Sequence, residues 1–399
     1  MVGNKTPRAL STTICIIGRC NAGKSSLINA VAEQDVAIVS PTAGTTTDVV
    51  AKSYELLPLG PVIFYDTAGL DDEGDLGQRR MKTTRKALYR SDIALIVISE
   101  SITPTDKRII NEVKTLDIPF LVVFNKNDVY KPNYEDIKYC LSKGIKYISV
   151  SATNSYNIQE LKKMIIDIAP EDIKEDISLV KDLIKQNDVV ILVTPIDLSA
   201  PKGRLILPQV QTLREVLDAN ATGIVVKESE LENTLSQLKN KPNLLITDSQ
   251  VVREVIQVAP KDMNITTFSI LFARNKGDLD LMVKGVQTLD KLKYGDKVLI
   301  AEACSHHAQP DDIGKVKIPN LVSKYTGKKI IFDFYNGNDF PDNLEDYSLV
   351  IHCGGCMINR KEMNHRLKEC AHRNIPVTNY GVVISKTQNV LERVTQILL

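Results

Sequence analysis

The 399-residue sequence contains no tryptophan, and aromatic residues account for only 5% of it. We therefore do not expect a surface that binds single-stranded nucleic acid by stacking bases on aromatic rings. The 50 Lys and Arg residues are balanced by 49 Asp and Glu residues, for a formal net charge of +1. A chain with this balance lacks the overall positive charge that attracts nucleic acids and anionic membranes, so neither is expected as a partner.

Neither a membrane-spanning segment nor an export signal is visible in the sequence, so neither is expected. The apolar runs Ile93–Ile98 and Leu121–Phe124 are far shorter than the roughly 20 residues that cross a bilayer. The N-terminal residues MVGNKTPRAL have no apolar core of the kind that an export signal needs. Seven cysteines in so long a chain are not typical of a secreted disulfide scaffold. These observations predict a cytoplasmic protein whose thiols are reduced.

Three blocks of alternating strand and helix patterns follow one another, over residues 1–172, 178–273 and 274–399. In the first block, TICIIG, VIFYDT, IALIVIS, FLVVFNK and YISVSA have the pattern of buried strands, separated by longer amphipathic stretches. Such an alternation predicts a mostly parallel sheet covered by helices. The fold class is therefore α/β, with three consecutive α/β domains.

The second and third blocks differ in the chemistry of their side chains. The second has strand patterns in VVILVTP, GIVVK, NLLITD and ITTFSIL, but no histidine, cysteine or glycine-rich loop, which is typical of an oligomerisation module. The third has strand patterns in KVLIAEA, KIIFDFY, YSLVIH and IPVTNY, together with all five histidines and four of the seven cysteines. A second functional site is therefore expected in the third block.

A phosphate-binding loop is the first functional motif along the chain. The segment from Gly18 to Ser25 matches G-x-x-x-x-G-K-[ST], and it follows a strand pattern and precedes a helix pattern, as the motif requires. Backbone N–H groups of such a loop bind phosphates at the N-terminus of the helix. Lys24 is expected to reach the β- and γ-phosphates, and Ser25 is expected to hold Mg²⁺. The residues assigned to nucleotide binding here are Gly18, Asn21, Ala22, Gly23, Lys24, Ser25 and Ser26.

Three further motifs follow in order, each at the end of a strand pattern. Asp66-Thr-Ala-Gly69 offers a carboxylate for the metal and a glycine N–H for the γ-phosphate. Asp128 of Asn125-Lys126-Asn127-Asp128 can accept from N1–H and N2–H₂ of guanine, and adenine has neither donor. Ser151-Ala152-Thr153 is expected to place backbone N–H groups near guanine O6. Four such motifs at the carboxyl ends of strands predict a GTPase domain.

The first block, over about 170 residues, resembles the bacterial GTPases of the tRNA-modification and Era type. The resemblance implies that residues 44–48 are switch I and that Thr46 closes on Mg²⁺ and the γ-phosphate. Leu70 stands where Ras-like enzymes have the water-orienting glutamine, so slow intrinsic hydrolysis is expected. Asn21 stands where potassium-activated members carry the asparagine that seats K⁺. The residues predicted to act in catalysis are Lys24, Asn21, Thr46 and Gly69.

Cysteines and histidines at two strand ends of the third block predict a metal site. Cys304-Ser-His306 follows KVLIAEA, and His352-Cys353-Gly-Gly-Cys356 follows YSLVIH. These residues can form a tetrahedral Cys₃His zinc site, or their three thiolates can bind three irons of a [4Fe–4S] cluster. The spacing does not choose between the two. Gly354 and Gly355 mildly favour iron–sulfur, because glycines permit close approach and N–H donation to cluster sulfurs.

A GTPase domain, a featureless α/β block and the pattern C-x-H…H-C-x-x-C together resemble the [FeFe]-hydrogenase maturation GTPases over essentially the whole chain. The resemblance implies a GTPase domain (1–172), a dimerisation domain (178–273) and a cluster-binding domain (274–399). It also implies a [4Fe–4S] cluster and a scaffold or carrier role for the diiron precursor of the hydrogenase active site. Homodimers, two radical-SAM maturases and the apo-hydrogenase are the partners it implies.

The same resemblance implies that three cysteines bind the cluster and that a histidine lies nearby. The cysteines are Cys304, Cys353 and Cys356, and the histidine is His306 or His352. The fourth ligand stays open, with Asp311 or an exogenous group as further candidates. The remaining cysteines, interpreted as ordinary thiols, are Cys15, Cys20, Cys140 and Cys370.

Two alternatives remain open at this point. One is an RNA- or ribosome-associated GTPase with a structural Cys₃His zinc domain, which would bear a basic, aromatic surface. The other is a zinc scaffold whose GTPase regulates assembly only. The second alternative predicts one tightly held zinc and no iron chromophore.

Overall fold

The protein is described here by a computed structural model. It covers residues 11–32, 38–39, 50–67, 83–171, 178–196, 205–303, 312–336, 340–341, 343–355 and 358–399, with backbone only for 38–39 and 50–52. The chain forms two compact units, unit 1 over 1–176 and unit 2 over 177–399. Among the described residues, no helix has the length and apolarity needed to span a bilayer.

Unit 1 contains a seven-stranded sheet with the strand order β2-β3-β4-β1-β5-β6-β7. β2 and β3 are antiparallel to their neighbours and the remaining pairs are parallel. The strands are β1 (Thr12–Gly18), β2 (Ile38–Val39), β3 (Val50–Leu56), β4 (Gly60–Asp66), β5 (Ile93–Ile98), β6 (Phe120–Phe124) and β7 (Tyr147–Ser149). The helices are α1 (Lys24–Ala32), α2 (83–89), α3 (Pro104–Thr115), α4 (Tyr134–Ser142) and α5 (Ile158–Ile168).

The central strand β1 is buried on both faces, which explains its continuous apolar sequence. Ile14 and Ile16 belong to the hydrophobic cluster on one face of the sheet. Cys15 and Ile17 belong to the cluster on the other face. Because successive side chains of a strand alternate between faces, one run of apolar residues supplies both cores. The predicted mostly parallel sheet is confirmed.

Unit 2 contains two four-stranded sheets in which every strand pair is parallel. The first has the order β11-β10-β8-β9 and the second the order β13-β12-β14-β15. The strands are β8 (Val189–Val193), β9 (Thr222–Val226), β10 (Leu244–Thr247), β11 (Ile265–Thr267), β12 (Lys297–Glu302), β13 (Ile331–Asn336), β14 (Leu349–His352) and β15 (Val377–Asn379). The helices are α6 (Leu207–Asp218), α7 (Leu231–Gln237), α8 (Val252–Val258), α9 (Phe268–Lys276), α10 (Leu279–Val286), α11 (Ile318–Thr326), α12 (Arg360–His372), α13 (Tyr380–Thr387) and α14 (Leu391–Thr395).

The two sheets of unit 2 share a hydrophobic core. Ile191 and Leu245 of the first sheet lie in the same buried cluster as Leu299 and Val350 of the second. The second and third predicted blocks therefore lie within one compact unit. Burial of apolar area across both sheets makes each of them stabilise the other.

One predicted strand is wrong in its second half. The segment ITTFSIL forms a strand only over Ile265–Thr267 and continues as helix α9. The Thr267 hydroxyl accepts a hydrogen bond from the backbone N–H of Ile270 at 3.2 Å. This N-cap contact ends the extended conformation and begins the helix.

Candidate functional site

The phosphate loop between β1 and α1 depends on glycine where the backbone approaches its neighbours. A Cβ on Gly18 would lie 2.3 Å from the carbonyl oxygen of Val97 on β5. Gly23 has a φ of +83°, and a Cβ there would lie 2.4 Å from Asn125 Nδ2. Asn21 also lies in the left-handed region, with a φ of +59°, which asparagine tolerates better than most residues. The two glycines that the motif specifies therefore lie where the backbone leaves no room for a side chain.

Lys24 and Ser25 lie at the start of α1, where the sequence predicts them to meet phosphate and metal. Lys24 is largely buried, and its Nζ donates to the carbonyl oxygens of Gly18 and Arg19, both at 2.9 Å. The Ser25 hydroxyl donates to Asp66 Oδ2 at 2.6 Å. Hydroxyl and carboxylate oxygens are the donors that Mg²⁺ prefers. The structure thus brings together Ser25 and Asp66 from two different motifs.

Asn125 joins the base-recognition motif to the phosphate loop. Its side chain is only 2% exposed, and Nδ2 donates to the carbonyl oxygens of Ala22 at 3.0 Å and Gly23 at 3.4 Å. Its Oδ1 accepts from the backbone N–H of Ala152 at 3.2 Å. Sequence reasoning assigned Asn125 to the nucleotide site but did not predict this bridge between three motifs.

Asp128 is exposed at the end of the same loop and is held in place by the last motif. Its Oδ1 accepts a hydrogen bond from the Ser151 hydroxyl at 2.6 Å. Lys126, between the two functional residues, has a φ of +61°. The carboxylate that is expected to bind guanine is therefore held by a hydrogen bond from the loop that follows β7.

Arg19 is a residue of the phosphate loop that sequence reasoning missed. Its Nη2 donates to the carbonyl oxygen of Ser101 at 3.1 Å, and its Nε lies 3.7 Å from Asp106 Oδ2. Asp106 is fully buried and forms a capping box with Thr103 at the start of α3. The pattern Thr-x-x-Asp before the helix was the available signal. These contacts tie the phosphate loop to α3.

The predicted cluster residues lie only partly within the described chain. We call residues 352–358 the cysteine loop; it begins at the last residue of β14, and 356 and 357 lie outside the described residues. Cys353 Sγ accepts from the backbone N–H of Ala303 at 3.1 Å and of Gly355 at 3.4 Å. Such donors stabilise a thiolate and are typical around cluster sulfurs. The predicted residues outside the described part of the chain are Thr46, Gly69, Leu70, Cys304, His306, Asp311 and Cys356.

His352 is engaged at both ring nitrogens. Nδ1 is 2.8 Å from the carbonyl oxygen of Cys353, and Nε2 is 2.9 Å from Nη1 of Arg366. Burial and the nearby Arg366 charge lower the pKa of His352 to about 3, so the imidazole is neutral. Nδ1 therefore carries the proton and donates a hydrogen bond to the carbonyl oxygen of Cys353, and Nε2 accepts a hydrogen bond from the Arg366 guanidinium. In this arrangement, the predicted ligand His352 has no lone pair left for a metal ion.

Arg366 completes a buried chain of contacts behind the cysteine loop, which sequence reasoning missed. Its Nη2 donates to Glu362 Oε1 at 2.9 Å, and both side chains are nearly buried. A residue four positions away on the same helix, α12, thus supplies the counter-ion. Within the described ranges, no group of three or more His, Cys, Asp and Glu residues is arranged to hold a metal ion.

Three family models match successive parts of the chain. The model described as 50S ribosome-binding GTPase matches residues 13–126. The hydrogen maturase F dimerization domain matches residues 179–277, and the hydrogen maturase F tetramerization domain matches residues 279–397. The sequence analysis predicted a dimerisation domain but no tetramerization domain.

Curated relatives share the N-terminal part of the chain. The tRNA modification GTPase MnmE of Aquifex aeolicus is 34% identical over 170 residues, which are 42% of this chain and 36% of the relative. The GTPase Der of Campylobacter fetus is 36% identical over 166 residues, which are 39% of this chain and 36% of the relative. The chain thus spans about a third of the length of these relatives.

Solved structures of GTPases also align with the chain at low similarity. An Era variant of Aquifex aeolicus bound to GDP and AlF₄⁻ is 22% identical, covers 62% of this chain and 98% of its own, and has a TM-score of 0.34. The G domain of the T. maritima FeoB iron transporter is 20% identical, covers 40% of this chain and 98% of its own, and has a TM-score of 0.31.

The N-terminal match and the motif geometry of unit 1 agree, and residues 13–126 belong to a GTPase domain. The two models that cover nearly all of unit 2 describe domains of one protein family, in the order in which they occur here. The chain belongs to the hydrogen maturase F family.

Proposed function

We propose that the chain is a GTP-hydrolysing scaffold or carrier. It binds a [4Fe–4S] cluster and assembles or delivers the diiron precursor of the [FeFe]-hydrogenase active site to the apo-hydrogenase. The observation that carries the proposal is the combination of an assembled nucleotide site in unit 1 with two hydrogen maturase F domains in unit 2.

In the nucleotide half, each motif residue has one task. Lys24 neutralises charge on the β- and γ-phosphates, and Asp128 accepts from two donors on guanine. Ser25 and Asp66, with Thr46, hold Mg²⁺, which when bound supplies charge stabilisation to the reacting phosphates. The 2.6 Å contact between Ser25 and Asp66 supports this assignment, because both oxygens lie within reach of one ion.

The nucleotide assignment is tested by Asp128→Asn. An amide cannot accept both guanine donors, so GTP affinity should fall by roughly a hundredfold or more while affinity for xanthosine triphosphate rises. Equilibrium titration with fluorescent nucleotides measures both values. Asp117→Asn, at an exposed position after α3, is the matched control. If Asp128→Asn still prefers GTP over xanthosine triphosphate, Asp128 is not the residue that recognises guanine.

Potassium dependence is the finer part of this proposal. Asn21 lies at the bend of the phosphate loop, where a seated K⁺ offsets developing phosphate charge as an arginine finger does. GTP hydrolysis should be several-fold faster in K⁺ than in Na⁺, and Asn21→Ala should abolish the difference. Equal rates in the two salts for the unchanged protein contradict it.

In the cluster half, Cys304, Cys353 and Cys356 are the proposed ligands. The two backbone N–H donors to Cys353 Sγ fit a cluster thiolate. With three cysteine ligands, the cluster supplies one exchangeable position at which a second fragment can dock and leave. Because both ring nitrogens of His352 are engaged, the fourth ligand is assigned to His306, Asp311 or an exogenous group.

Anaerobic reconstitution of the full chain tests the cluster. About four irons and four sulfides per chain, with an EPR signal on reduction that Cys304→Ala removes, is the expected result. Stoichiometric zinc without sulfide would instead support a GTPase with a structural zinc domain and would end the carrier proposal.

Assembly of several copies follows from the domains that the chain contains. β9 is the last strand of its sheet, and Val225 on it is 41% exposed. Among the described strands, only β8 pairs with β9, so its outer edge can pair with a second copy. Val225→Lys should lower the mass measured by light scattering, and an unchanged mass excludes this edge.

The partners of the assembled protein are proposed to be two radical-SAM maturases and the apo-hydrogenase. The nucleotide state of unit 1 would bias docking or release of these partners through its switch segments, as in other GTPases. Co-purification in GTP and GDP states measures this. Equal recovery of each partner in both states contradicts the switch.

A further inference from the structure

Arg19 directly follows the first glycine of the phosphate loop, and its side chain reaches the start of α3. Nη2 donates to the carbonyl oxygen of Ser101 at 3.1 Å, and Nε lies 3.7 Å from Asp106 Oδ2. The side chain of Arg19 is 24% exposed, whereas that of Asp106 is fully buried. Arg19 thus makes two separate contacts with the segment that begins α3.

The segment that Arg19 contacts is itself fixed by two buried carboxylates. Asp106 Oδ2 accepts from the backbone N–H of Thr103 at 2.8 Å and from its hydroxyl at 2.6 Å. Asp136, in the first turn of α4, accepts through Oδ1 from the backbone N–H of Ile102 at 3.0 Å. Because neighbouring residues of this segment are bound by different helices, it is a rigid anchor for Arg19.

Asp106 in turn depends on Arg19 for the compensation of its charge. Both hydrogen bonds from Thr103 go to Oδ2, and Oδ1 has no hydrogen-bond partner among the described residues. A buried carboxylate is costly unless a cation or several donors compensate it. The guanidinium of Arg19 is therefore favoured at its position beside Asp106.

The backbone of Arg19 takes part in placing Lys24. Lys24 Nζ donates to the carbonyl oxygens of Gly18 and Arg19, both at 2.9 Å. The backbone N–H of Ala22 lies 3.3 Å from the same Arg19 carbonyl. Gly23, farther along the loop, has a φ of +83°, and glycine restricts the backbone less than any other residue. A side-chain tether at Arg19 therefore limits rotation of the peptide group whose oxygen binds Lys24.

We infer that Arg19 is a positioning residue for GTP hydrolysis, because its contacts with α3 hold the carbonyl that places the Lys24 ammonium. The inference rests on the proposed role of Lys24, which neutralises charge on the β- and γ-phosphates. The guanidinium of Arg19 is engaged with Ser101 and Asp106, so it acts through Lys24 and does not itself bind phosphate. Its effect should concern the phosphates that Lys24 contacts, and not the guanine base.

Three substitutions of the full-length chain test the link from both ends. Arg19→Met removes both contacts, whereas Arg19→Lys keeps the charge without the planar fork. Asp106→Asn keeps an oxygen that can accept from Thr103 but removes the charge beside Arg19. Arg108→Met, at an exposed position of α3, is the matched control. Circular dichroism checks that each variant is folded, and Arg19→Lys reports if Arg19→Met is not.

Competition of GDP and GMP against fluorescent GDP measures the effect on phosphate binding, because GMP lacks the β-phosphate. In Arg19→Met, GDP affinity should fall about tenfold relative to Arg108→Met, and GMP affinity should change less than about twofold. Arg19→Lys should lie between the two. Unchanged GDP affinity in Arg19→Met, or an equal loss of GMP affinity, overturns the positioning role.

The double variant tests whether Asp106 is the anchor. Asp106→Asn alone should also weaken GDP binding, and adding it to Arg19→Met should cause no further loss, because both changes break the same link. Additive losses would overturn the link between Arg19 and Asp106.

Hydrogen exchange on the nucleotide-free protein separates this inference from the proposed function. Amides of residues 19–25 should exchange about tenfold faster in Arg19→Met than in Arg108→Met, because the tether no longer opposes opening of the loop. Equal exchange in the two variants overturns the tether. If Lys24→Met keeps full GDP affinity, the proposed role of Lys24 fails instead, and the exchange rates still decide whether Arg19 holds the loop.

Discussion

The phosphate loop of unit 1 and the cysteine loop of unit 2 both follow the carboxyl end of a parallel strand, but different parts of the sequence hold them. In the nucleotide site, the motif residues hold one another: Asn125 binds Ala22 and Gly23, and Ser25 binds Asp66. In the cysteine loop, side-chain support from outside the motif comes from Lys276, whose Nζ donates to the carbonyl oxygens of Gly355 and Ile358. It also comes, through His352, from Arg366, in addition to the backbone N–H of Ala303. The nucleotide motifs are thus stabilised by contacts among their own residues, whereas the cysteine loop is stabilised by residues of helices outside the cysteine pattern.

The largest effect on stability is expected from replacing Arg366, which contacts the cysteine loop through His352. Arg366→Met removes the guanidinium that pairs with Glu362 and donates to His352 in a nearly buried site, at a cost of about 3 kcal/mol. The free energy of unfolding of unit 2, measured by urea denaturation, should fall by about that amount. GDP affinity should not change, because the nucleotide contacts lie within unit 1.

The control for that experiment is Arg373→Met. Arg373, itself half-buried, pairs with the half-buried Glu369 and the exposed Glu345, and pairs that water reaches contribute little to stability. A clearly smaller loss than in Arg366→Met is expected. Equal losses in the two variants would mean that the buried pair has no special role.

The next largest effect is expected from removing a contact between the motifs of the nucleotide site. Asn125→Ala removes the bridge between the phosphate loop and Ala152. The carbonyl oxygen of Ala22 and the N–H of Ala152 then lose this partner, at a cost of about 2 kcal/mol. GDP affinity should fall more than tenfold in fluorescence titrations. Asn127→Ala in the same loop is the matched control, and a similar loss there would contradict the bridge.

Replacing His352 should lower the iron content only slightly, whereas a large loss would be expected if His352 were a cluster ligand. In His352→Gln, the side-chain oxygen can still accept from Arg366. We therefore expect nearly full iron content after reconstitution and a modest loss of stability. Cys353→Ser, measured in parallel, should lose most of its iron. Equal iron loss in both variants would restore His352 as a ligand.

The smallest effect concerns the cysteines outside the cluster pattern. Burial raises the pKa of Cys15 and Cys370 to about 12 and that of Cys140 to about 11, so at pH 8 these thiols stay protonated and unreactive. Cys20, in the phosphate loop, is exposed. Iodoacetamide should therefore label Cys20 but not the other three, and GDP with Mg²⁺ should slow that labelling. Rapid labelling of Cys15 in the folded protein contradicts the packing of β1.

The fold could be predicted from the sequence where apolar patterns decide it. The strands around the nucleotide site were predicted because a buried parallel strand is a continuous apolar run. The strand over ITTFSIL was extended too far, since a short apolar run does not distinguish a strand from a buried helix start. There, the Thr267 cap decides the structure.

The sequence by itself determined the four nucleotide motifs, because the defining residues of each motif lie close together in one short segment of the chain. Only the tertiary structure decided how the cysteine loop is held. Lys276 lies 79 and 82 residues from the carbonyls that it binds, and Arg366 reaches His352 across 14 residues from the next helix. No periodicity or motif marks a buried lysine that donates to backbone oxygens of a distant segment, since such contacts arise only when the helices pack against the sheet.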